Sequence, residues 1–130
     1  VNKCILVLRE KYTLYYERKR KKMSHFLFHF EEEHMQESVF QAKLIRELKE
    51  RFPGCIVLKN DPDYIQGVPD LTIFYHDKWA TLECKKGSRA SKRPNQEYYV
   101  DKMNEMSFSR FIYPENKETV LDELQQAFES

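Results

Sequence analysis

The chain has 130 residues, 41% of them hydrophobic and 14% aromatic, which is enough apolar material for one domain with a single core. Its 22 basic and 21 acidic side chains leave a net charge of +1; eight basic and five acidic ones fall in 1–34 against fourteen and sixteen in 35–130, which excludes a uniformly basic surface. Cys4, Cys55 and Cys84 lack CxxC or Cys/His ligand spacing, which disfavours a disulfide framework or zinc site, and no stretch approaches the roughly 20 apolar residues of a membrane span, so a cytoplasmic protein with no membrane partner is expected.

Residues 1–34 read as an N-terminal extension, set apart from a domain over 35–130. They carry an apolar run at Cys4–Leu8, the basic run Arg18–Lys22 and the acids Glu31–Glu33, and either solvated chain or a basic arm on phosphates fits them. A third reading takes Met23 or Met35 as the start of the chain. His25 and His29 have a spacing that can bind metal on a helix, but the phenylalanines and leucine around them fit an amphipathic strand better.

From Glu37 the pattern turns regular. Phe40, Leu44, Ile45, Leu48 and Phe52 recur at helical spacing until Pro53-Gly54, and Ser38 with Gln41 offers a capping box that would put Glu37 ahead of the first turn rather than inside it. A short strand over 55–59, a turn-rich loop over 60–67 and strands over 71–75 and 79–84 come next. A polar loop at 86–94 leads to an amphipathic helix over 95–106 with Tyr99, Val100 and Met103 inward, then a strand over 108–113. Asn116 caps a last helix presenting Val120, Leu121, Leu124, Ala127 and Phe128 on one side. The order αβββαβα predicts an α/β fold, a small mixed sheet with helices on both sides.

The two strands around the turn near residue 77 carry the chemistry. Side chains alternate between faces along a strand, so Glu83 and Lys85 share one face, whereas Cys84 turns into the core, where Trp79 is expected too. Asp70 stands thirteen residues before Glu83, at the facing end of the hairpin. Phosphodiester hydrolysis needs an activated water, an in-line geometry and a counter-charge, all of which a divalent cation supplies. Magnesium favours hard oxygen ligands, and Asp70, Glu83 and the backbone carbonyl of Cys84 are suitable donors, with Glu37 able to join through a water or to anchor a second ion. Lys85 is placed to handle the attacking water and to stabilise charge on the phosphate.

The loop 85–93 holds five basic residues in nine and no acid. Lys86, Arg89, Lys92 and Arg93 are therefore candidate phosphate contacts, giving affinity without base readout. Asn60 and Tyr64, in the loop ahead of Asp70, are further candidates for touching nucleic acid, set against ordinary turn chemistry.

Glu37, Gly67-Val68-Pro69-Asp70, Glu83-Cys84-Lys85 and Gln96 together resemble the motif set of the PD-(D/E)XK nuclease superfamily, in particular its VRR-NUC branch, over most of 36–130. The resemblance implies a restriction-endonuclease-like αβββαβ core with a four-stranded mixed sheet, here followed by a C-terminal helix. It also implies a DNA endonuclease dependent on Mg2+, with Mn2+ as a substitute, in which Gln96 contacts Lys85, the water or the phosphate. Small stand-alone members resemble Holliday junction resolvases and act as homodimers, so branched DNA in phage-type replication, recombination or repair is the implied substrate. The rival readings are a non-catalytic nucleic-acid-binding module on the same fold and a restriction-like or exonucleolytic enzyme.

Overall fold

The apolar spacing of Phe40, Leu44 and Leu48 produces a helix, α1 (37–51), in a computed structural model that describes residues 37–130. The expectations placed on 1–36, including the basic run, the histidine pair and the alternative start sites, lie outside the described residues. Glu37 is already helical, so it sits within the helix and not ahead of a Ser38 cap. Pro53 and Gly54 end α1, Gly54 taking φ 86, a left-handed conformation that a Cβ resists.

Four strands follow in the predicted places: β1 (Ile56–Lys59), β2 (Leu71–Tyr75), β3 (Lys78–Cys84) and β4 (Phe108–Ile112), lying side by side in chain order. β1–β2 and β2–β3 are antiparallel, whereas β3–β4 is parallel. A parallel pair cannot be joined by a tight turn, and α2 (Pro94–Met106) supplies the crossover before α3 (Lys117–Glu129) closes the chain. The α/β class and the flanked four-stranded mixed sheet are thus observed as the sequence predicts.

Period-two alternation gives the sheet two different faces. Leu71, Ile73, Ala80, Leu82, Cys84 and Ile112 turn to one face and form the core with Leu44, Leu48 and Phe52 from the α1 side and Val120, Leu121, Leu124 and Phe128 of α3. The seam between α1 and α3 is laced at its rim by Lys117 to Glu47 (2.8 Å) and by Arg51 to Asp122. Thr81, Glu83 and Lys85 turn to the other face, where α2 lies, and Thr81 Oγ1 donates to Ser109 Oγ of β4 at 2.7 Å. On its inner side α2 buries Val100, with Tyr99 and Met103 half-buried beside it.

Two local expectations are corrected. Trp79 is half-buried rather than part of the core, because alternation puts it on the α2 face at the level where that helix ends, its carbonyl accepting from Ser107 Oγ. Asn116 is the N-cap residue of α3, but its side chain does not cap the helix. Its Oδ1 accepts from Tyr113 N (2.8 Å) and its Nδ2 donates to the Phe111 carbonyl (3.1 Å), so the amide closes the preceding turn instead. Among the described residues no helix is long and apolar enough to cross a membrane.

Candidate functional site

The register of β2 and β3 assembles the site. Leu71 pairs with Leu82, so the next step of the hairpin puts Asp70 opposite Glu83 on the α2 face. Each acid is then held by the other strand's backbone: Asp70 Oδ2 accepts from Cys84 N at 2.9 Å, and Glu83 Oε2 accepts from Asp70 N at 3.1 Å. Glu83 is 3% exposed and Lys85 8%, so two charged side chains lie in a nearly closed layer under α2.

Gln96, in the first turn of α2, joins them. Its Nε2 donates to Glu83 Oε1 at 2.8 Å, and its Oε1 accepts from Lys85 Nζ at 2.8 Å and from Arg93 N at 3.1 Å. One amide therefore fixes the ends of both the acid and the lysine, and caps its own helix besides.

The electrostatics are those of a site short of positive charge. Burial pushes the Glu83 carboxyl up to about 8, and the Asp70 charge adds to the rise, against the opposing pull of Lys85 and the Asp70 N–H. Asp70 is raised as well, first by burial and then by Glu37, while the Cys84 N–H and Lys85 pull it down. Like charges directly opposite on neighbouring strands destabilise a sheet. The Cys84 thiol is pushed far above its ordinary value by burial, with Asp70 and Glu83 adding to it, which leaves a protonated core side chain and not a nucleophile.

Of the sequence-predicted set, Asp70, Glu83, Lys85 and Gln96 are brought together, and Glu37 lies near enough from α1 for its charge to act on both acids. The groups able to hold a hard cation are the Asp70 and Glu83 carboxylates, with the Cys84 carbonyl between Glu83 and Lys85. Among the described residues no three His, Cys, Asp or Glu side chains form a ready-made cage.

One solved structure resembles this chain weakly. It is titled VRR_NUC domain, with a TM-score of 0.44 and 23% identity over 55% of this chain and 81% of that one. No family model matches the chain, and no curated protein matches it.

The loop before Asp70 is braced from inside. Asn60 Nδ2 donates to the Pro69 carbonyl and to Thr72 Oγ1, both at 2.8 Å, and Asn60 N donates to the Asp70 carbonyl at 2.8 Å. Asn60 therefore sets the approach to Asp70, its side-chain amide nitrogen being spent on bracing the loop. Tyr64 is 84% exposed at the loop tip. Arg89, Lys92 and Arg93 are exposed around the start of α2 and Lys86 is half-buried, so the basic loop borders the site.

Sequence reasoning missed the backbone half of this arrangement. The Cys84 N–H on Asp70, the Asp70 N–H on Glu83 and the Thr81–Ser109 pair depend on register and on which strand follows α2, and no residue type announces them. Gly67 is a further case. It takes φ 88, and a Cβ there would lie 2.6 Å from Asn95 Cβ and 2.7 Å from Asn95 C, so its bare backbone admits the first turn of α2 that carries Gln96. Gly67→Ala will cost about 1–3 kcal/mol more than Gly54→Ala, because both strain a left-handed backbone but only the first overpacks. Chemical denaturation of the two variants checks this: at Gly54 the added Cβ meets nothing within 4 Å, and equal losses would refute the contact.

Proposed function

We propose that this chain is a divalent-cation-dependent DNA endonuclease that hydrolyses phosphodiester bonds, acting on branched DNA such as a Holliday junction in phage-type replication, recombination or repair. One observation carries the reading: two carboxylates face each other in a buried layer beside a lysine, an arrangement that destabilises the metal-free fold and so calls for a function. Mg2+ is the fitting ion, with Mn2+ as substitute, and Asp70, Glu83 and the Cys84 carbonyl would hold it, with Glu37 reaching it through water. When bound, the cation supplies an activated water and a counter-charge for the phosphate oxygens.

The chain's own residues do the rest. Lys85, its ammonium held at Gln96 Oε1, stabilises negative charge developing on the phosphate and orients the water. Gln96 keeps Lys85 and Glu83 at fixed separation, which spares their reorganisation during reaction. Lys86, Arg89, Lys92 and Arg93 hold neighbouring phosphates, with no base specificity of their own. Two copies acting as a homodimer would cut both strands of a junction.

A non-catalytic binding module is the second reading, and it has one observation on its side: Gln96 already satisfies Lys85 and Glu83 without a metal. Incubation with linear, circular and four-way-junction DNA, and with RNA, in Mg2+, Mn2+ or EDTA separates the two. The expected result is cutting that EDTA abolishes, strongest on the junction. Binding of the junction with no cut in either metal would favour the module.

A further inference from the structure

Beside Glu83, the α2 face opens into a cavity that the proposed hydrolysis leaves unused. Glu83 is paired in register with Phe111 of β4, so Phe111 stands on the same face one strand over, on the side of Glu83 away from Asp70. From there a cavity of about 360 Å3 runs between α2 and β4, lined in part by Phe111, Lys92, Asp101, Asn104, Arg110 and Tyr113. The size falls within the range of small-molecule sites, about 300–1,000 Å3.

The lining selects the ligand. The exposed Lys92 places its Nζ 4.5 Å over the centre of the half-buried Phe111 ring, so that face is covered by a flexible cation that a flat partner would displace. Asp101 opposes a bare phosphate, while Lys92 and Arg110 oppose a purely apolar guest. Arg110 is itself held by Glu123 at 3.0 Å and by the Asn104 side chain, so its charge is fixed in place. An aromatic face with acid, amide and cationic groups around it matches a nucleobase, which has a π surface and an edge of mixed donors and acceptors.

We propose that this cavity takes one nucleobase of the bound strand, stacked on Phe111, from the nucleotide flanking the phosphate that sits against Glu83 and Lys85. The proposal rests on the nuclease reading for the position of that phosphate. Lys92 leaves the ring as the base arrives and pairs with the adjacent phosphate. The basic loop would thus do more than attract DNA: one of its lysines guards the stacking surface.

The test scans a DNA four-way junction with a single abasic residue at each position near the branch, using the full chain with Mg2+. Removing the base from one position should slow cutting by about 5- to 150-fold, the worth of one stacked base. Phe111→Leu should show that loss on the intact junction and no further loss on the abasic one, and Phe111→Trp should restore the rate. In parallel, 5-iododeoxyuridine at the same positions, irradiated in EDTA, should cross-link one position to Phe111. Cutting that is indifferent to every abasic position, or equally sensitive in Phe111→Leu, overturns the base site and leaves the nuclease reading standing. A Phe111 cross-link without cutting in any metal upholds the base site and overturns the nuclease reading; neither cross-link nor cutting overturns both.

Discussion

Glu83→Ala will stop cleavage while leaving binding of junction DNA close to the wild-type level. The substitution removes a carboxylate that would hold the cation and also the acceptor of Gln96 Nε2 at 2.8 Å, so the amide that positions Lys85 loses its other anchor. Both effects fall on transition-state charge, and a loss on the order of 10²–10⁴-fold in turnover is expected. Binding survives because Arg89, Lys92 and Arg93 are exposed on the loop and make no use of the carboxylate. Asp70→Ala should match it, and the double variant should be little worse than either single one, since the two acids act as a unit. Measured turnover within a few-fold of wild type in Glu83→Ala would remove the assignment.

The second large effect concerns pH in the absence of metal. Glu83 has a carboxyl pushed up to about 8 in the folded chain from an ordinary value of 4.5, and Asp70 shifts in the same direction. Between those values the folded state holds a proton that the unfolded state has released, so stability falls as pH rises through the window and levels off above it. In EDTA the melting temperature should decline between about pH 5 and pH 8 and then flatten. Glu83→Gln should shrink that decline, whatever it does to stability at a single pH. Added Mg2+ should raise the melting temperature most at the alkaline end, because ligation requires the ionised acids. A profile with the same slope in wild type and Glu83→Gln would show that Glu83 is not the group that titrates.

Much of this fold is legible in the residues alone, for identifiable reasons. Phe40, Leu44 and Leu48 have no purpose as a spacing except a helix, and the period-two runs ending at Tyr75 and Cys84 flank a short turn, so their pairing is nearly forced. That local geometry is what aims Glu83 and Lys85 the same way. Trp79 departs from expectation because bulk argues for burial, whereas its depth is set by where α2 stops, a tertiary fact. Asn116 departs from expectation because its residue type fits a helix cap and a turn closure equally well, and the Tyr113 and Phe111 backbone decides between them. The Phe111 cavity was invisible for a similar reason: only the parallel pairing of β3 with β4 brings that ring beside Glu83.

The facing acids also bear on how this sequence can drift. Burial and mutual repulsion raise both carboxyls, so in a lineage released from their use Asn and Gln, which keep acceptors for the Cys84, Asp70 and Gln96 N–H groups without a charge, would be the changes most readily accepted. Persistence of the pair in descendants of this chain would thus record continuing selection for chemistry. Erosion of one acid, with the surrounding packing intact, would mark a descendant in which the proposed cutting had given way to binding alone.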